Sequence, residues 1–398
     1  MSLISIIIPT TRPEMNSLKS FFQFEIPEGY DLEYIFIIDD PSKSTENLES
    51  IIEEFPDVNV NIIKNEENVG VSASRNVGIQ RSKGNYILSL DDDCIAKSDL
   101  LIEYIRAVKK YPEAPGYIGL TSAPEPINSF QEGIIFSDML HFFQIAKHKE
   151  EFFWGITANL FLKRKAIGDV RFPINHPKKG GGEDIFFCLK ILDNHNQENN
   201  NSNLKESSDI SMNKRFKCVE TAEVVHPFWK ESFRSYMRFF RWGYGDILLH
   251  SKFPQFKYHQ FPNLIELSFI TLLVYILTIS INIIFSFLNL EALIFIIFIT
   301  QISICITWEI LWEAFKLHKR NLDLNVIALI KAVFIRQLND LGRFVHLFPR
   351  IWKITNRWDY FCTRESLDYE RKIALRKFLG FCLTFLVLYL VFMIYSIK

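Results

Sequence analysis

The sequence predicts an α/β fold with a mainly parallel sheet in its amino-terminal part, followed by an α-helical membrane region. Up to about residue 125, strand-like segments that are apolar on both faces alternate with helix-like segments, a pattern typical of parallel sheets covered by helices. Two of these strands end in acidic clusters, at the edge of a parallel sheet where ligands bind. Beyond Pro262, long runs without charge replace the mixed composition of a soluble protein.

Four strands and three helices are predicted along the first part of the chain, and from the second strand onward they alternate. The strands are expected at Ile4–Ile8, Glu33–Ile38, Val58–Ile63 and Asn85–Leu90. The helices are expected at Thr45–Phe55, Val69–Arg81 and Ser98–Tyr111.

Charge and cysteine content restrict the classes of function. The 45 Lys and Arg residues are balanced by 46 Asp and Glu residues, so charge does not support nucleic-acid binding. The cysteines contain no CxxC pair, which predicts neither a disulfide framework nor a zinc site and fits a reducing compartment; they are Cys94, Cys188, Cys218, Cys305, Cys362 and Cys382. Met1 leads directly into a short strand without a basic start, so no signal peptide is predicted and the first domain is expected in the cytosol.

The polar segment Asn194–Lys214 is predicted to be a mobile loop. It is rich in Asn and Ser and contains nothing that builds a core. Its glycosylation sequon at Asn200 has no meaning if the domain is cytosolic.

Three membrane-spanning helices are predicted after Pro262, at about 264–288, 290–312 and 376–397. Long apolar runs support them, because about twenty apolar residues cross a bilayer core of about 30 Å. Basic residues flank the runs on their outer sides: Lys252, Lys257, Lys316, Lys319, Arg320, Arg371, Lys372, Arg376 and Lys377. The positive-inside rule therefore predicts a multi-pass protein of the inner membrane, with the outer ends of the first hairpin in the cytoplasm.

The segment 326–350 has apolar residues at helical spacing, with Lys331, Arg336, Arg343 and Arg350 interspersed. This pattern predicts an amphipathic helix at the membrane interface. An ordinary buried helical core is the alternative, and uncharged runs of the length found on either side disfavour it.

Asp91-Asp92-Asp93 follows a buried strand and predicts a metal site. Adjacent carboxylates at one strand end repel one another unless a cation lies among them. Asp91 and Asp93 occupy alternate positions and can face the same side, and carboxylate oxygens are ligands that suit Mg²⁺ or Mn²⁺. A solvated acidic turn is the alternative interpretation.

Two segments around this cluster carry a resemblance to a known family. Asn68–Gly78 reads NVGVSASRNVG, and Lys83–Asp93 reads KGNYILSLDDD. In this order they closely resemble the inverting glycosyltransferases of family 2, which have the Rossmann-like GT-A fold. The strand Ile4–Pro9 and the segment Ile37–Ser42 resemble that family's first two strands, and the likeness covers about residues 3–245.

The resemblance implies two sets of binding residues in the first domain. The positions that it implies for the nucleotide sugar are Pro9, Asp39, Asp40, Arg75, Asp91 and Asp92, with Asp39 and Asp40 at the nucleobase and ribose. The positions that it implies for Mg²⁺ or Mn²⁺ are Asp91, Asp93 and His226. A structural histidine is an equal alternative at His226, and Pro41 replaces the family's usual glycine in the loop under the base.

The sequence Gly180-Gly-Gly-Glu-Asp184 precedes an apolar helix predicted at Ile185–Leu192. Acidic residues at a helix N-terminus have a purely structural explanation, whereas glycines let the backbone approach a ligand closely. The family has its catalytic Glu-Asp pair at this point. The resemblance therefore implies that Asp184 is a general base and that Glu183 positions the acceptor.

Arg234, Arg238 and Arg241 share one face of a predicted helix. Arg238 and Arg241 are interpreted as a diphosphate clamp, because arginine makes bidentate phosphate contacts; a basic helix facing solvent or lipid headgroups is the alternative. Processive synthases of the family carry Gln-x-x-Arg-Trp where this chain has Arg238-Phe-Phe-Arg-Trp242, and they usually have upstream membrane helices. Both differences favour transfer of a single sugar.

These features predict a membrane-associated inverting hexosyltransferase with a catalytic domain at 1–245 and a membrane region at 246–398. It is expected to use a nucleotide-diphosphate sugar, UDP-linked by family precedent, and a hydroxyl of a lipid-linked or polysaccharide acceptor, with Mg²⁺ or Mn²⁺ and without nucleic acid. The alternatives are a polyprenyl-phosphate glycosyltransferase, a processive polysaccharide synthase, and a non-catalytic nucleotide-sugar scaffold or sensor. No oligomeric state is predicted.

Overall fold

The computed structural model describes residues 1–13, 16–200, 215–285, 291–347, 355–361 and 367–397. The chain forms two compact units, Met1–Pro126 with Leu140–Lys230, and Ile127–Met139 with Glu231–Lys398. The second unit therefore includes a short segment that interrupts the first unit in sequence. The predicted catalytic boundary at residue 245 is a functional one, and it stays a prediction.

The first unit is built on one sheet of nine described strands. The strands of this sheet are β1 Ser2–Thr10, β2 Tyr30–Ile38, β3 Val60–Lys64, β4 Tyr86–Leu90, β5 Ile95–Ala96, β6 Gly116–Ser122, β7 Glu151–Phe152, β8 Asn159–Lys163 and β9 Phe216–Val225. They follow the order β3-β2-β1-β4-β8-β6-β9-β5, and β7 pairs with β9. A short antiparallel pair in the second unit consists of β10 Lys257–His259 and β11 Asn356–Trp358.

The α-helices connect these strands and make up most of the second unit. In chain order they are α1 Glu46–Glu53, α2 Val71–Arg81, α3 Leu100–Lys110, α4 Ser129–Phe136, α5 Ile145–His148, α6 Arg164–Ile167, α7 Glu183–Asn200, α8 Phe233–Leu249, α9 Leu264–Phe285, α10 Glu291–Lys319, α11 Val326–Leu347 and α12 Leu367–Ile397. Short 3₁₀ helices lie at Asn16–Gln23, His141–Gln144 and Pro254–Phe256.

The parallel part of the sheet creates a crevice at the carboxyl end of β1. Ile6 of β1 lies beside Tyr34 of β2 on one side and beside Leu88 of β4 on the other, and both pairings are parallel. Because β4 lies on the opposite side of β1 from β2 and β3, the order of the strands reverses here, which is where open α/β sheets bind ligands. The acidic cluster follows β4 directly. The predicted α/β fold with a mainly parallel sheet is confirmed, and β8 adds antiparallel pairing to β4 and β6.

Each strand and helix predicted up to residue 111 overlaps an observed one, and several of their ends are shifted by one to three residues. Helix α2 begins at Val71 rather than Val69, because Gly70 has a φ of 90° and ends the preceding loop. Helix α7 continues to Asn200, so the first part of the segment predicted to be a loop, Asn194–Lys214, is helical. The rest of that prediction falls on residues 201–214, outside the described residues.

Close contact between α8 and α11 organises the second unit. A Cβ atom at Gly243 would lie 1.9 Å from the carbonyl oxygen of Asn339, and one at Gly342 would lie 1.9 Å from the carbonyl oxygen of Phe240. The side-chain amide of Asn339 also donates to the carbonyl of Phe239 at 3.2 Å. The two helix backbones therefore touch at positions that admit no side chain.

Two helices of the second unit are long and apolar enough to cross a membrane. Their apolar stretches are Leu264–Ile281 and Phe298–Lys319, of which only 22% and 11% are buried within the protein. Large apolar side chains such as Leu277 and Leu311 are more than half exposed. The third predicted span, 376–397, lies in α12, where many of the side chains lie outside the described part, and it stays a prediction.

The amphipathic helix predicted at 326–350 is present as α11. One face is buried, with Ala332, Asn339 and Phe344 among its residues. The other face exposes Ile327 and Phe334. Its position at a membrane interface stays a prediction, and residues 348–350 lie outside the described residues.

The close contact of α8 with α11 predicts opposite effects for two alanine substitutions. Gly342→Ala forces the helices apart and is expected to lower the free energy of unfolding by about 1–3 kcal/mol. Gly380→Ala is the matched control, because its Cβ would meet only Trp308, at 3.8 Å, and alanine is favoured over glycine in a helix by up to about 1 kcal/mol. Thermal unfolding of the purified full chain compares them, and equal midpoints would contradict the contact.

Candidate active site

Asp39 organises the loop that leads into α2. It is buried at the end of β2, where Oδ1 accepts hydrogen bonds from Nδ2 of Asn65 at 2.9 Å and from the Val69 amide at 3.0 Å. Oδ2 accepts from the Gly70 amide at 3.0 Å. A Cβ at Gly70 would lie 2.9 Å from the backbone of Lys178, so only glycine fits there. Asp39, which the sequence predicts to contact the nucleobase, thus also holds the loop that precedes α2.

Asp40 is the more accessible member of the predicted nucleobase pair. Its Oδ1 accepts from the amide and hydroxyl of Ser42 at 3.0 and 2.6 Å, and these hydrogen bonds hold the pKa of Asp40 below its usual value. Pro9 is buried in β1 beside Ile37. Asp40 therefore keeps a charged oxygen toward solvent, whereas Pro9 contributes to the wall of the strand.

Arg75 joins the two acidic motifs. It is buried on α2, which packs so closely on the sheet that a Cβ at Gly78 would lie 2.4 Å from Ile7. Nη2 donates to Oδ1 of Asp91 at 2.8 Å, and Nη1 lies 3.5 Å from Oε1 of Glu183. One guanidinium thus links the acidic cluster after β4 to the Glu-Asp pair that begins α7.

Asp92 is turned into the protein rather than toward solvent. Its Oδ2 accepts from the Thr10 hydroxyl at 2.5 Å and from Nε of Arg12 at 3.3 Å, and its Oδ1 accepts from Nη2 of Arg12. Burial raises the pKa of Asp92 to about 6, although Arg12 and Thr10 act in the opposite direction. The nucleotide-binding role predicted for Asp92 therefore stays a prediction, and its contacts hold Arg12 against the sheet.

Asp93 and His226 meet at the edge of this cluster. Oδ2 of Asp93 accepts from Nη2 of Arg12 at 3.0 Å, and Oδ1 lies 3.4 Å from Nε2 of His226. Nδ1 of His226 lies 2.8 Å from the carbonyl oxygen of Pro227. Because a carbonyl only accepts hydrogen bonds, Nδ1 carries the proton, and in the neutral imidazole Nε2 offers a lone pair toward Asp93.

The chemistry of these donors fits a divalent cation. Asp91 and Asp93 offer hard oxygen ligands, and His226 offers an imidazole nitrogen whose other ring N–H is bound to a carbonyl, as in most metal-ligating histidines. Asp93, Cys94 and His226 each place a ligand atom within 4.8 Å of the other two.

Glu183 and Asp184 have different environments although they are adjacent. Glu183 is buried and accepts a hydrogen bond from the Gly181 amide at 2.6 Å, so its carboxylate is held on the side of Arg75. Asp184 is partly exposed, and its Oδ1 accepts from the Ile185 amide at 2.8 Å. Desolvation by the surrounding protein, followed by the charge of Glu183, raises the pKa of Asp184 to about 7.

The glycine loop before α7 adopts a conformation that L side chains rarely reach. Gly180, Gly181 and Gly182 have φ values of 87°, 149° and 79°. Nδ1 of His176 lies 2.9 Å from the Gly181 carbonyl, and its ring packs edge-on against Phe186 at 5.9 Å. The loop is thus held in place from its outer side, with Asp184 at its end.

Three residues that contact the acidic cluster or the glycine loop were not predicted as site residues from the sequence: Arg12, His176 and Cys94. Arg12 follows the carboxyl end of β1, so its position was a usable signal, but its partners lie 80 positions further along the chain. His176 stands in a loop with no local pattern. Cys94 is fully buried beside Asp93, and burial raises the pKa of its thiol well above the usual value.

Arg238 and Arg241 lie on α8 in the second unit, where both are half-buried. Burial lowers the pKa of Arg241. Arg234, one turn earlier, is exposed. Their predicted role as a diphosphate clamp stays a prediction.

Asn substitutions at Asp39 and Asp40 test whether Asp39 stabilises the loop before α2 and whether the more accessible Asp40 does not. Asp39→Asn places an amide donor against backbone N–H groups and is expected to lower the free energy of unfolding by about 1–3 kcal/mol. Asp40→Asn is the control and is expected to change it by less than about 0.5 kcal/mol. Chemical denaturation gives both values, and hydrogen exchange should speed up at Val69 and Gly70 in the first variant alone. Unchanged exchange there would contradict the role of Asp39.

Comparison with known proteins shows that this chain is similar to glycosyltransferases. Residues 5–169 match the sequence model described as Glycosyl transferase family 2. An uncharacterized glycosyltransferase of Haemophilus influenzae is 24% identical over 185 residues, which are 43% of this chain and 60% of the relative. An uncharacterized glycosyltransferase of Methanocaldococcus jannaschii is 34% identical over 97 residues, which are 24% of this chain and 33% of the relative. The aligned part of the chain thus spans less than two thirds of either relative.

Among solved structures, the mannosyltransferase PcManGT from Pyrobaculum calidifontis, in complex with GDP-Man and Mn²⁺, is similar with a TM-score of 0.43. It is 15% identical in sequence, and the match covers 63% of each chain. The sequence match includes β1, β2, β4 and the acidic cluster that they surround. Over residues 5–169, this chain is similar in sequence to glycosyl transferase family 2.

Proposed function

We propose that the chain is an inverting glycosyltransferase that moves a single sugar from a nucleotide-diphosphate sugar to a hydroxyl group of a membrane-associated acceptor. The observation that carries the proposal is the bridge made by Arg75. It brings Asp91, in the cluster suited to a metal and a diphosphate, next to Glu183. The neighbouring Asp184 is a partly exposed carboxylate whose pKa is raised to about 7. A donor site and a base therefore lie side by side.

Asp184 suits the role of general base. A sugar hydroxyl is a poor nucleophile until its proton is accepted, and a base works best when its pKa lies near the working pH. The pKa of about 7 meets this condition, and Oδ1 is oriented by the Ile185 amide. Glu183 is held by Arg75 and Gly181, so it suits positioning of the acceptor through a fixed carboxylate.

The proposed step is a single displacement at the anomeric carbon. The acceptor oxygen forms its bond to that carbon on one face while the bond to the diphosphate oxygen breaks on the other, which inverts the configuration. The hydroxyl proton passes to Asp184, and the electron pair of the broken bond leaves with the nucleoside diphosphate. Asp93 and His226, with Asp91, would hold Mn²⁺ or Mg²⁺, and such an ion offsets the charge of the departing diphosphate. Arg12 and Arg75 keep the carboxylates of the cluster in place.

The second unit supports attachment to a membrane and an acceptor presented there. Its two apolar helices expose surfaces that lipid would cover. We propose that the protein lies in the inner membrane with a catalytic domain at 1–245 in the cytoplasm, where nucleotide sugars are made. A lipid-linked glycan or a polysaccharide precursor is then the acceptor, a UDP-linked sugar the donor, and Arg238 and Arg241 further contacts to the diphosphate.

If a metal ion at Asp91, Asp93 and His226 assists the reaction, its removal is expected to stop turnover of the donor. The purified full chain, incubated with a panel of nucleotide sugars and Mn²⁺, is expected to release nucleoside diphosphate slowly from one donor, and EDTA should abolish the release. Asp93→Ala is expected to lower the rate at least about 100-fold, since it removes a proposed metal ligand. Asp57→Ala, on an exposed loop of the first unit, is the control and should keep the full rate. Donor binding without release, with a full set of acceptors present, would favour a sensor instead.

The raised pKa of Asp184 predicts a defined pH profile. Because the base must be deprotonated, kcat/KM should rise about tenfold per pH unit below pH 7 and level off above it. Asp184→Asn should lose at least about 100-fold in activity with the hydroxyl acceptor while binding the donor normally. Asp193→Asn, on the same helix and paired with Lys190 at the surface, is the control.

An enzyme that transfers the sugar to a phosphate instead of a hydroxyl should respond differently to these tests. Polyprenyl phosphate is already anionic and needs no base, so an enzyme acting on it would tolerate Asp184→Asn and lack the pH profile. Products longer than one added sugar would instead identify a processive synthase. Either result would overturn the proposed reaction.

A further inference from the structure

Cys94 and His226 face each other across a short strand ladder. In the antiparallel pair of β5 with β9, Ile95 lies opposite Val225 and Ala96 lies opposite Val224. Cys94 and His226 occupy the next position of the same register, just beyond the paired residues. The ladder therefore explains why Sγ of Cys94, a carboxylate oxygen of Asp93 and a ring nitrogen of His226 all lie within 4.8 Å of one another.

Arg12 contacts one oxygen of Asp93, Oδ2, and the other oxygen, Oδ1, faces His226. Nδ1 of His226 donates to the Pro227 carbonyl, so Nε2 of the neutral ring is an acceptor, and it lies 3.4 Å from Oδ1 of Asp93. Two acceptors at this distance repel each other unless a proton or a metal ion lies between them. The rings of Phe143 and Trp229, each 5.5 Å from the imidazole, fix its orientation. All three ligand residues are more than nine-tenths buried.

The ligand set differs from the one that Mg²⁺ or Mn²⁺ would use. A thiolate, an imidazole and a carboxylate are the ligands that zinc takes in proteins, whereas thiolate is a poor ligand for hard cations. One carboxylate, one thiolate and one neutral imidazole balance the charge of a divalent ion, beside the Arg12 guanidinium that contacts the other oxygen of Asp93.

We propose that Asp93, Cys94 and His226 form a binding site for a thiophilic divalent cation of the zinc type. On binding, the metal–sulfur bond replaces the S–H bond of Cys94, and the released proton goes to solvent. This site shares Asp93 and His226 with the cation proposed for sugar transfer, so the two ions exclude each other. Zinc-type ions are therefore inhibitors of the transferase, a consequence that rests on the proposed function, whereas the binding itself does not.

Cobalt binding tests the site directly, because Co²⁺ accepts the zinc ligand set and thiolate ligation gives a charge-transfer absorption in the near ultraviolet. The metal-free full chain titrated with Co²⁺ is expected to develop this absorption, and Zn²⁺ should displace it. Cys94→Ser should remove the absorption and weaken Zn²⁺ binding at least about tenfold, since even outer partners of a metal site contribute that much. Cys218→Ser, half-buried elsewhere on β9, is the matched control and should leave both unchanged.

Manganese separates this inference from the reaction proposed above. Mn²⁺ affinity, measured without any sugar donor, should change less than about threefold in Cys94→Ser, because a hard cation does not use the thiol. Asp93→Ala should weaken both ions. A wild-type cobalt complex without thiolate absorption, or Zn²⁺ affinity that is equal in wild type and Cys94→Ser, would overturn the site whatever the enzyme's activity. If Zn²⁺ inhibits the wild-type transferase but not Cys94→Ser, the same site also accounts for inhibition of catalysis.

Discussion

The mutual repulsion of Asp91, Asp92 and Asp93 is the constraint on which the site depends. Three adjacent carboxylates, two of them buried, are costly to bring together without compensating charge. Arg12 bridges the second and third, and Arg75 takes the first. These arginines come from the end of β1 and from α2, so the parallel order of β1 and β4 and the close packing of α2 on the sheet are requirements of the acidic cluster as well as of the core.

Arg75 extends this electrostatic framework to the beginning of α7. Because it contacts Glu183 as well as Asp91, the two motifs stay close although they are far apart in sequence. The same contact separates the roles of two adjacent acids. Glu183 is held by Arg75 and a backbone amide, whereas desolvation and the charge of Glu183 raise the pKa of Asp184, although Arg75 acts in the opposite direction. Pairs of acids whose environments differ in this way are typical of acid–base chemistry.

The parallel half of the sheet could be predicted from sequence, because strands buried on both faces are continuous apolar runs. Ile4–Ile8 and Glu33–Ile38 are of this kind, and the acids that follow a strand mark its carboxyl end. The antiparallel half was not predicted, since β5 and β7 have two residues each and owe their existence to pairing with β9. Local pattern does not encode such pairing, which depends on tertiary contacts.

Because local pattern does not encode tertiary pairing, only some residues of the candidate site could be predicted from the sequence. Asp91 and Asp184 stand in short motifs, whereas Arg12 acts only through partners on another strand. Cys94 carries no signal without the register that sets it opposite His226. A cysteine without a CxxC partner excludes a zinc finger in sequence, but it does not exclude a metal site whose ligands come from two strands. Arg12 and Cys94 are thus identified only by the fold, whereas Arg75 stands in a motif that the sequence already shows.

The second unit differs from the first because much of its apolar surface is exposed. Apolar side chains on α9 and α10 are left exposed by the part of the chain that the structure describes, and contiguous apolar surface of this extent is rare in soluble monomers. The charged residues of α10 are its first residue, Glu291, and a group in its carboxyl-terminal part, where Glu309 pairs with Lys377 at 2.5 Å and Glu313 with Lys316 at 2.6 Å. The stretch between Glu291 and Glu309 is apolar and carries no charge, which is what a helix needs in order to lie in a bilayer.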